Sequence, residues 1–243
     1  MSRKRRILPV LAFLVILLAV AFGWATAASA WSEGEPDPNG VGTHDQILSA
    51  ARGLAGPAGA WLNMSVAQPA SDDPDTVFHD SLFHIYDRWG NLQIGSAPSA
   101  VKARYDLAVF YLKLGNVAAA SRQTALMAHY YSDVWNPFHS SYEVSTLAVQ
   151  LQFHSLYESN AFQHGFPTVT QPASTHNYNP FAATVAAADS SRQSFAPIAA
   201  AYVSGAGYGS DGGTIDQLTK GLLTRAAQGL SDLIISIKTA AGK

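Results

Sequence analysis

Two stretches of the chain concentrate side chains that bind metal ions. The first is His129-Tyr130-Tyr131-Ser132-Asp133 with Asn136-Pro137-Phe138-His139 close behind, and the second is His154-Ser155-Leu156-Tyr157-Glu158. Residues i and i+4 lie one above the other on a helix face, so each pair offers an imidazole and a carboxylate to one ion. Both pairs fall on apolar helical stripes, where an ionised carboxylate needs a partner or a metal. Taken singly, each residue has a plainer reading: His129 or His154 as a satisfied core histidine, Asp133 as a solvated helix end, Glu158 as a surface charge. Four such coincidences between residues 129 and 158 favour the metal. The chain has no cysteine, so there are no disulfides or thiolates. Any ion is bound by nitrogen and oxygen, a donor mixture that suits zinc.

The N-terminus adds a further donor. Arg3, Lys4, Arg5 and Arg6 precede an apolar run from Ile7 to Phe22 and the small residues Ala28-Ser29-Ala30, the pattern of a secretory signal over residues 1–30. Cleavage before Trp31 frees an α-amino group that can chelate one ion together with its own carbonyl, and His44 follows 13 residues on. The competing reading, an uncleaved membrane anchor, is disfavoured by the small-residue triplet and the polar switch after it. The remaining 213 residues, 31–243, suffice for one sizeable domain. They carry 11 basic against 17 acidic side chains, a formal −6 that leaves no basic surplus for nucleic-acid backbones.

Mostly helical elements must position these groups. A T-x-x-Q capping pattern at Thr43 and Gln46 predicts a helix from His44 to about Gly56. Residues 66–98, rich in Pro, Asp, Ser and Gly, read as a long irregular loop. Helices are expected over Ser99–Leu114, Val117–Val134 and Val144–Phe162. The last of these carries a stripe of Leu147, Leu151, His154, Glu158 and Phe162. One alanine-rich helix over Phe181–Val203 and a final amphipathic helix complete an all-α chain with no convincing strand.

With these residues in place the chain resembles the bacterial zinc-dependent phospholipase C family. The matching segments, in the family's order, are Trp31, Gly42-Thr43-His44, His84-Ile85-Tyr86-Asp87, Ala103-Arg104-Tyr105, Gly115-Asn116, Met127 to Asp133, Pro137-Phe138-His139 and His154 with Glu158. The resemblance implies a single helical domain holding three zinc ions. One is held by the Trp31 amine and carbonyl, His44 and Asp133. A second takes an aspartate of the 72–75 segment, His84, His129 and the bridging Asp133, and the third takes His139, His154 and Glu158. Asp75, in a Pro-Asp pair, is the first choice for that aspartate and for orienting the attacking water; Asp72 stands second. Asp73 and Asp80 read as solvated loop carboxylates, and His79, His164 and His176 as surface imidazoles.

The implied activity is secreted hydrolysis of a phospholipid, phosphatidylcholine by default, to diacylglycerol and a phosphorylated head group, by a monomer at a membrane surface. The same resemblance leaves two rivals: a single-strand nuclease of the same superfamily, and a non-catalytic helical protein whose zinc is structural. Toxic members of the family add a lipid-binding sandwich domain, for which no strand pattern is seen before Lys243. Trp89, Trp135 and Phe138 are candidates for lipid contact, with core packing as the alternative.

Overall fold

The computed structural model describes residues 41–89, 92–142 and 146–243. The secretory segment and Trp31 lie outside them. Eight α-helices occur among the described residues: α1 Thr43–Ala55, α2 Met64–Ser71, α3 Ala97–Lys113, α4 Val117–Asp133, α5 Leu147–Gln163, α6 Pro180–Arg192, α7 Phe195–Val203 and α8 Thr214–Ala240. A two-stranded antiparallel hairpin, β1 Asp87–Trp89 and β2 Leu92–Ile94, pairs Asp87 with Ile94 and Trp89 with Leu92. None of the described helices is long and apolar enough to cross a membrane.

The middle of the bundle is α4. Asn116 caps its start by accepting from the Ala119 N–H at 3.0 Å, and every residue from Thr124 to Asp133 is buried. Helices α1, α2, α3 and α8 pack around it, so its polar residues face other elements instead of water. Helix α8, 27 residues long and so about 40 Å, lines the back of the bundle with Leu222, Leu230, Leu233 and Ile237 in the core. Its Gly229 is required by close approach: a Cβ there would lie 2.0 Å from the Tyr131 hydroxyl.

Four expectations need correction. Helix α1 starts at Thr43, with Gly42 as its cap and Asp45, not Gln46, accepting the Gly42 N–H at 3.3 Å. The 66–98 stretch is ordered into α2, a π-helical turn at Pro74–Phe78, a 3-10 turn at Ser81–Phe83 and the hairpin. Its strands, three residues each, are too short to show a period of two. The hairpin closes against Ile85 because Gly95, at φ 75°, has no Cβ to strike the Ile85 carbonyl. The 181–203 helix is two helices, since Pro197 cannot sit inside a continuous helix without losing a hydrogen bond and striking the Gln193 carbonyl. In the first turn of α7 it is tolerated. Finally, α5 turns Gln150, Tyr157, Glu158 and Ala161 inward while Leu151 is exposed, a face rotated from the one its apolar stripe predicted.

Candidate metal centre

Six elements bring nine side chains to one region of the bundle. Helix α1 supplies His44, the π turn Asp75, and the segment around the 3-10 turn Asp80 and His84. The last turn of α4 supplies His129 and Asp133, a second 3-10 turn at Pro137–His139 supplies His139, and α5 supplies His154 and Glu158. The abrupt end of α4 has a local cause. Asn136 accepts from the Phe138 N–H at 3.0 Å, fixing the turn that delivers His139, and its amide donates to Glu158 Oε1 at 2.7 Å.

In the first group, His129 donates from Nδ1 to the Ser71 carbonyl at 2.6 Å, so its Nε2 presents a lone pair. That nitrogen faces His84 Nδ1 at 3.2 Å, Asp133 Oδ2 at 3.3 Å and Asp75 Oδ2 at 3.4 Å. His84 Nδ1 lies 2.8 Å from Asp133 Oδ2 and 3.3 Å from Asp75 Oδ1. His44 stacks on His129 with ring centroids 3.9 Å apart, and its Nε2 lies 3.4 Å from Asp133 Oδ1. That Asp133 oxygen is buried yet takes no hydrogen bond among the described residues.

In the second group, His139 donates from Nδ1 to the His84 carbonyl at 3.0 Å. Its Nε2 therefore turns a lone pair toward Glu158 Oε1 at 3.2 Å and His154 Nε2 at 2.8 Å, and His154 Nε2 is itself 2.8 Å from the same oxygen. Imidazole lone pairs and carboxylate oxygens that converge this closely, in a buried place with few protons to share, fit a divalent cation. The ligand atoms of His44, Asp75 and His129, of His84, His129 and Asp133, and of His139, His154 and Glu158 each lie within 4.8 Å of one another.

The groups adjoin. Beside the His139 bond to the His84 carbonyl, the Tyr86 N–H donates to the His139 carbonyl at 3.1 Å. Asp87 braces this crossing from behind, accepting from the Tyr142 N–H at 2.6 Å and pairing with Arg192 at 2.9 Å.

Electrostatics follow from the crowding. Burial alone would raise the Asp133 carboxyl, but the imidazoles crowded around it, with His84 hydrogen-bonded to it, hold it well below the usual range. Burial opposes charge on Glu158 as well, and His154 and His139 outweigh it and keep its carboxyl low. Burial and the neighbouring His44 keep His129 neutral, far below an ordinary histidine. On His84 burial is overcome by the hydrogen bonds it donates to Asp133 and Asp80, which push the imidazole up to about 10. His84 therefore carries positive charge beside Asp133 in the metal-free protein.

Sequence reasoning underrated some residues. Asp80, read as a solvated carboxylate, lies 3.0 Å from His84 Nε2 and accepts from the Tyr130 hydroxyl at 2.7 Å. Its i, i+4 relation to His84 was the available signal. Ser132, 2.7 Å from His44 Nδ1, and Asn136 carried no such signal. Of the two aspartates first considered, Asp75 faces His84 and His129, while Asp72 ends α2. Asp73 pairs with Arg122. His164 and His176 stand apart from the groups, each against an aspartate, Asp211 and Asp232. Trp135 and Phe138 are core residues, not surface contacts. A further grouping of His164, Asp211 and Asp216 already has the Lys220 ammonium 2.9 Å from Asp216, so a cation is supplied within the chain.

No family model matches the chain, and no curated protein matches it in sequence. Among solved structures it is similar to the crystal structure of alpha-toxin of Clostridium perfringens from an avian strain, with a TM-score of 0.52 at 17% identity. The match covers 86% of this chain and 64% of the toxin chain, so the chain spans somewhat less than two thirds of the toxin's length. What the two molecules share at that identity is the fold, an all-α bundle of the alpha-toxin kind.

Proposed function

We propose that the protein is an exported zinc-dependent phosphodiester hydrolase of the phospholipase C type. Its substrate is a glycerophospholipid, with phosphatidylcholine as the reference, and its products are diacylglycerol and a phosphorylated head group. The observation that carries this reading is the pair of adjoining donor groups, His44/Asp75/His84/His129/Asp133 and His139/His154/Glu158, all within one set of short contacts. The family resemblance and the fold shared with alpha-toxin support it.

In this reading Asp133 would help to hold two zinc ions, one together with His44 and the Trp31 terminus, and the other together with Asp75, His84 and His129. Bound zinc supplies Lewis acidity, polarising phosphoryl oxygens and lowering the pKa of a coordinated water toward ~7. The chain's own contribution begins with accessibility. His129 and Asp133 have side chains 0% exposed, whereas Asp75 and His154 are 11% and 13% exposed, so substrate approaches on their side. Asp75 would orient the attacking water and take its proton. Burial of His129, Asp133 and Glu158 excludes bulk water from the far side and strengthens every charge interaction there.

Lipid is favoured over nucleic acid by what surrounds Asp75 and His84. Val77, Leu82 and Phe83 are large, apolar and exposed. Arg88, Arg122 and Arg192 are each paired with an aspartate, which reduces the positive charge offered to a phosphate backbone, while Arg104 lies over the Phe78 ring and donates to Gln123. The test is a single purified preparation assayed on phosphatidylcholine vesicles and on single-stranded DNA, with and without chelator followed by zinc. Chelator-sensitive release of the phosphorylated head group is expected. Cleavage of DNA alone would select the nuclease, and loss of fold with the metal but no hydrolysis of either would select the structural zinc protein.

A further inference from the structure

Four of the metal-facing histidines are held from behind, and one of these is held differently. His129 and His139 direct Nδ1–H at backbone carbonyls, of Ser71 at 2.6 Å and of His84 at 3.0 Å, and His44 Nδ1 lies 2.7 Å from the Ser132 hydroxyl. These are neutral oxygens. His84 instead turns its rear nitrogen, Nε2, to a carboxylate, Asp80 Oδ1, at 3.0 Å.

Asp80 is itself fixed. Its second oxygen accepts from the Tyr130 hydroxyl at 2.7 Å, and Tyr130 is a fully buried residue of α4 next to His129, its ring set edge-on to that of His84 with centroids 5.3 Å apart. The backbone cooperates. His79 takes a left-handed conformation at φ 51°, the one non-glycine residue to do so among those described, and the Asp80 carbonyl accepts from the Phe83 N–H at 2.8 Å. That reversal lets Asp75 and Asp80, on either side of it, reach opposite nitrogens of one imidazole.

From this geometry we propose that Asp80, clamped by Tyr130, is the positioning residue of the centre, locking His84 with a proton on Nε2 and its Nδ1 lone pair aimed at the ion shared with Asp75, His129 and Asp133. The assignment rests on the zinc reading above. Orientation of a ligating imidazole by a carboxylate behind it is a general device, and its loss costs about 10–100-fold in metal affinity.

The test uses the full chain stripped of metal. Zinc affinity is measured by competition with a chromophoric chelator, and cobalt is substituted for its visible spectrum, in the unaltered protein, Asp80→Ala, Asp80→Asn and Tyr130→Phe. Asp80→Ala should weaken one ion about 10–100-fold and shift the cobalt bands, with far-ultraviolet circular dichroism unchanged. Asp80→Asn, which keeps an oxygen acceptor for Nε2–H, should restore most of that loss, and Tyr130→Phe should fall between. Unchanged affinity and spectrum in Asp80→Ala would overturn the assignment alone, as would an equal weakening of all the ions, which marks a general loss of structure. An unaltered protein that binds no zinc or cobalt would sink the metal-centre reading itself.

Discussion

Replacing Glu158 by glutamine tests the centre at its best-defined point. Glu158 Oε1 lies 2.8 Å from His154 Nε2 and 3.2 Å from His139 Nε2, and it accepts the Asn136 amide at 2.7 Å. Glutamine keeps the shape and an oxygen for Asn136, and it removes the charge. In the metal-free protein the loss is one set of charge-assisted hydrogen bonds, about 1–3 kcal/mol, which for a chain of this size lowers the melting temperature by roughly 2–10 °C. The effect on metal is larger. Removing a group behind a ligand costs about 10–100-fold, so neutralising one of three direct protein donors should cost more than ~100-fold, or about 3 kcal/mol. At micromolar free zinc the variant should therefore carry one ion fewer than the unaltered protein, read by elemental analysis after gel filtration, with hydrolysis lost in parallel. An unchanged metal content, with zinc affinity within about threefold of the parent, would refute the assignment of His139, His154 and Glu158 to a common ion.

Three further outcomes follow from the same structure. The folded-state value of His84, up to about 10, lies above the ~6.5 of an unfolded histidine. Its contribution to the metal-free fold is thus complete below ~6.5 and lost as pH rises toward 10; urea midpoints should fall over that window, and a rise would contradict the charge placed on His84. Zinc must displace that proton, so loading at pH 7 should release at least one proton per centre to an indicator dye, and none would contradict it. Gly229→Ala should destabilise by about 1–3 kcal/mol through overpacking against the Tyr131 hydroxyl, with zinc affinity unaltered in the folded fraction; a fully stable variant would mean that Tyr131 moves aside freely.

The parts of the centre that were legible in the chain are those whose geometry is local. His129 with Asp133 and His154 with Glu158 each sit on one helix, where a spacing of four is a spatial statement. The long helices were legible for the same reason, as was the stop at Asn136-Pro137. The choice between Asp72 and Asp75 was not, because it depends on a π-helical turn and a left-handed His79 that no periodicity announces. Asp80 has the same spacing to His84 as the pairs that were recognised, but it lies in a stretch whose Pro, Asp and Gly content reads as loop. The carbonyls of Ser71 and His84 that fix His129 and His139 leave no trace in residue identity, since every residue has one. Pro197 is the one residue of the 181–203 stretch that signals a break, and the alanine-rich composition around it reads as a single helix.

His84 touches both donor groups, through its ring in one and through its carbonyl in the other. A shift of that single backbone unit displaces the imidazole in the first group and releases the tautomer of His139 in the second. The two halves of the centre therefore have no independent adjustment at this point: an engineer who retunes one through residues 80–86 retunes the other, and a redesign confined to one half has to begin from the far sides, at His44 or at α5.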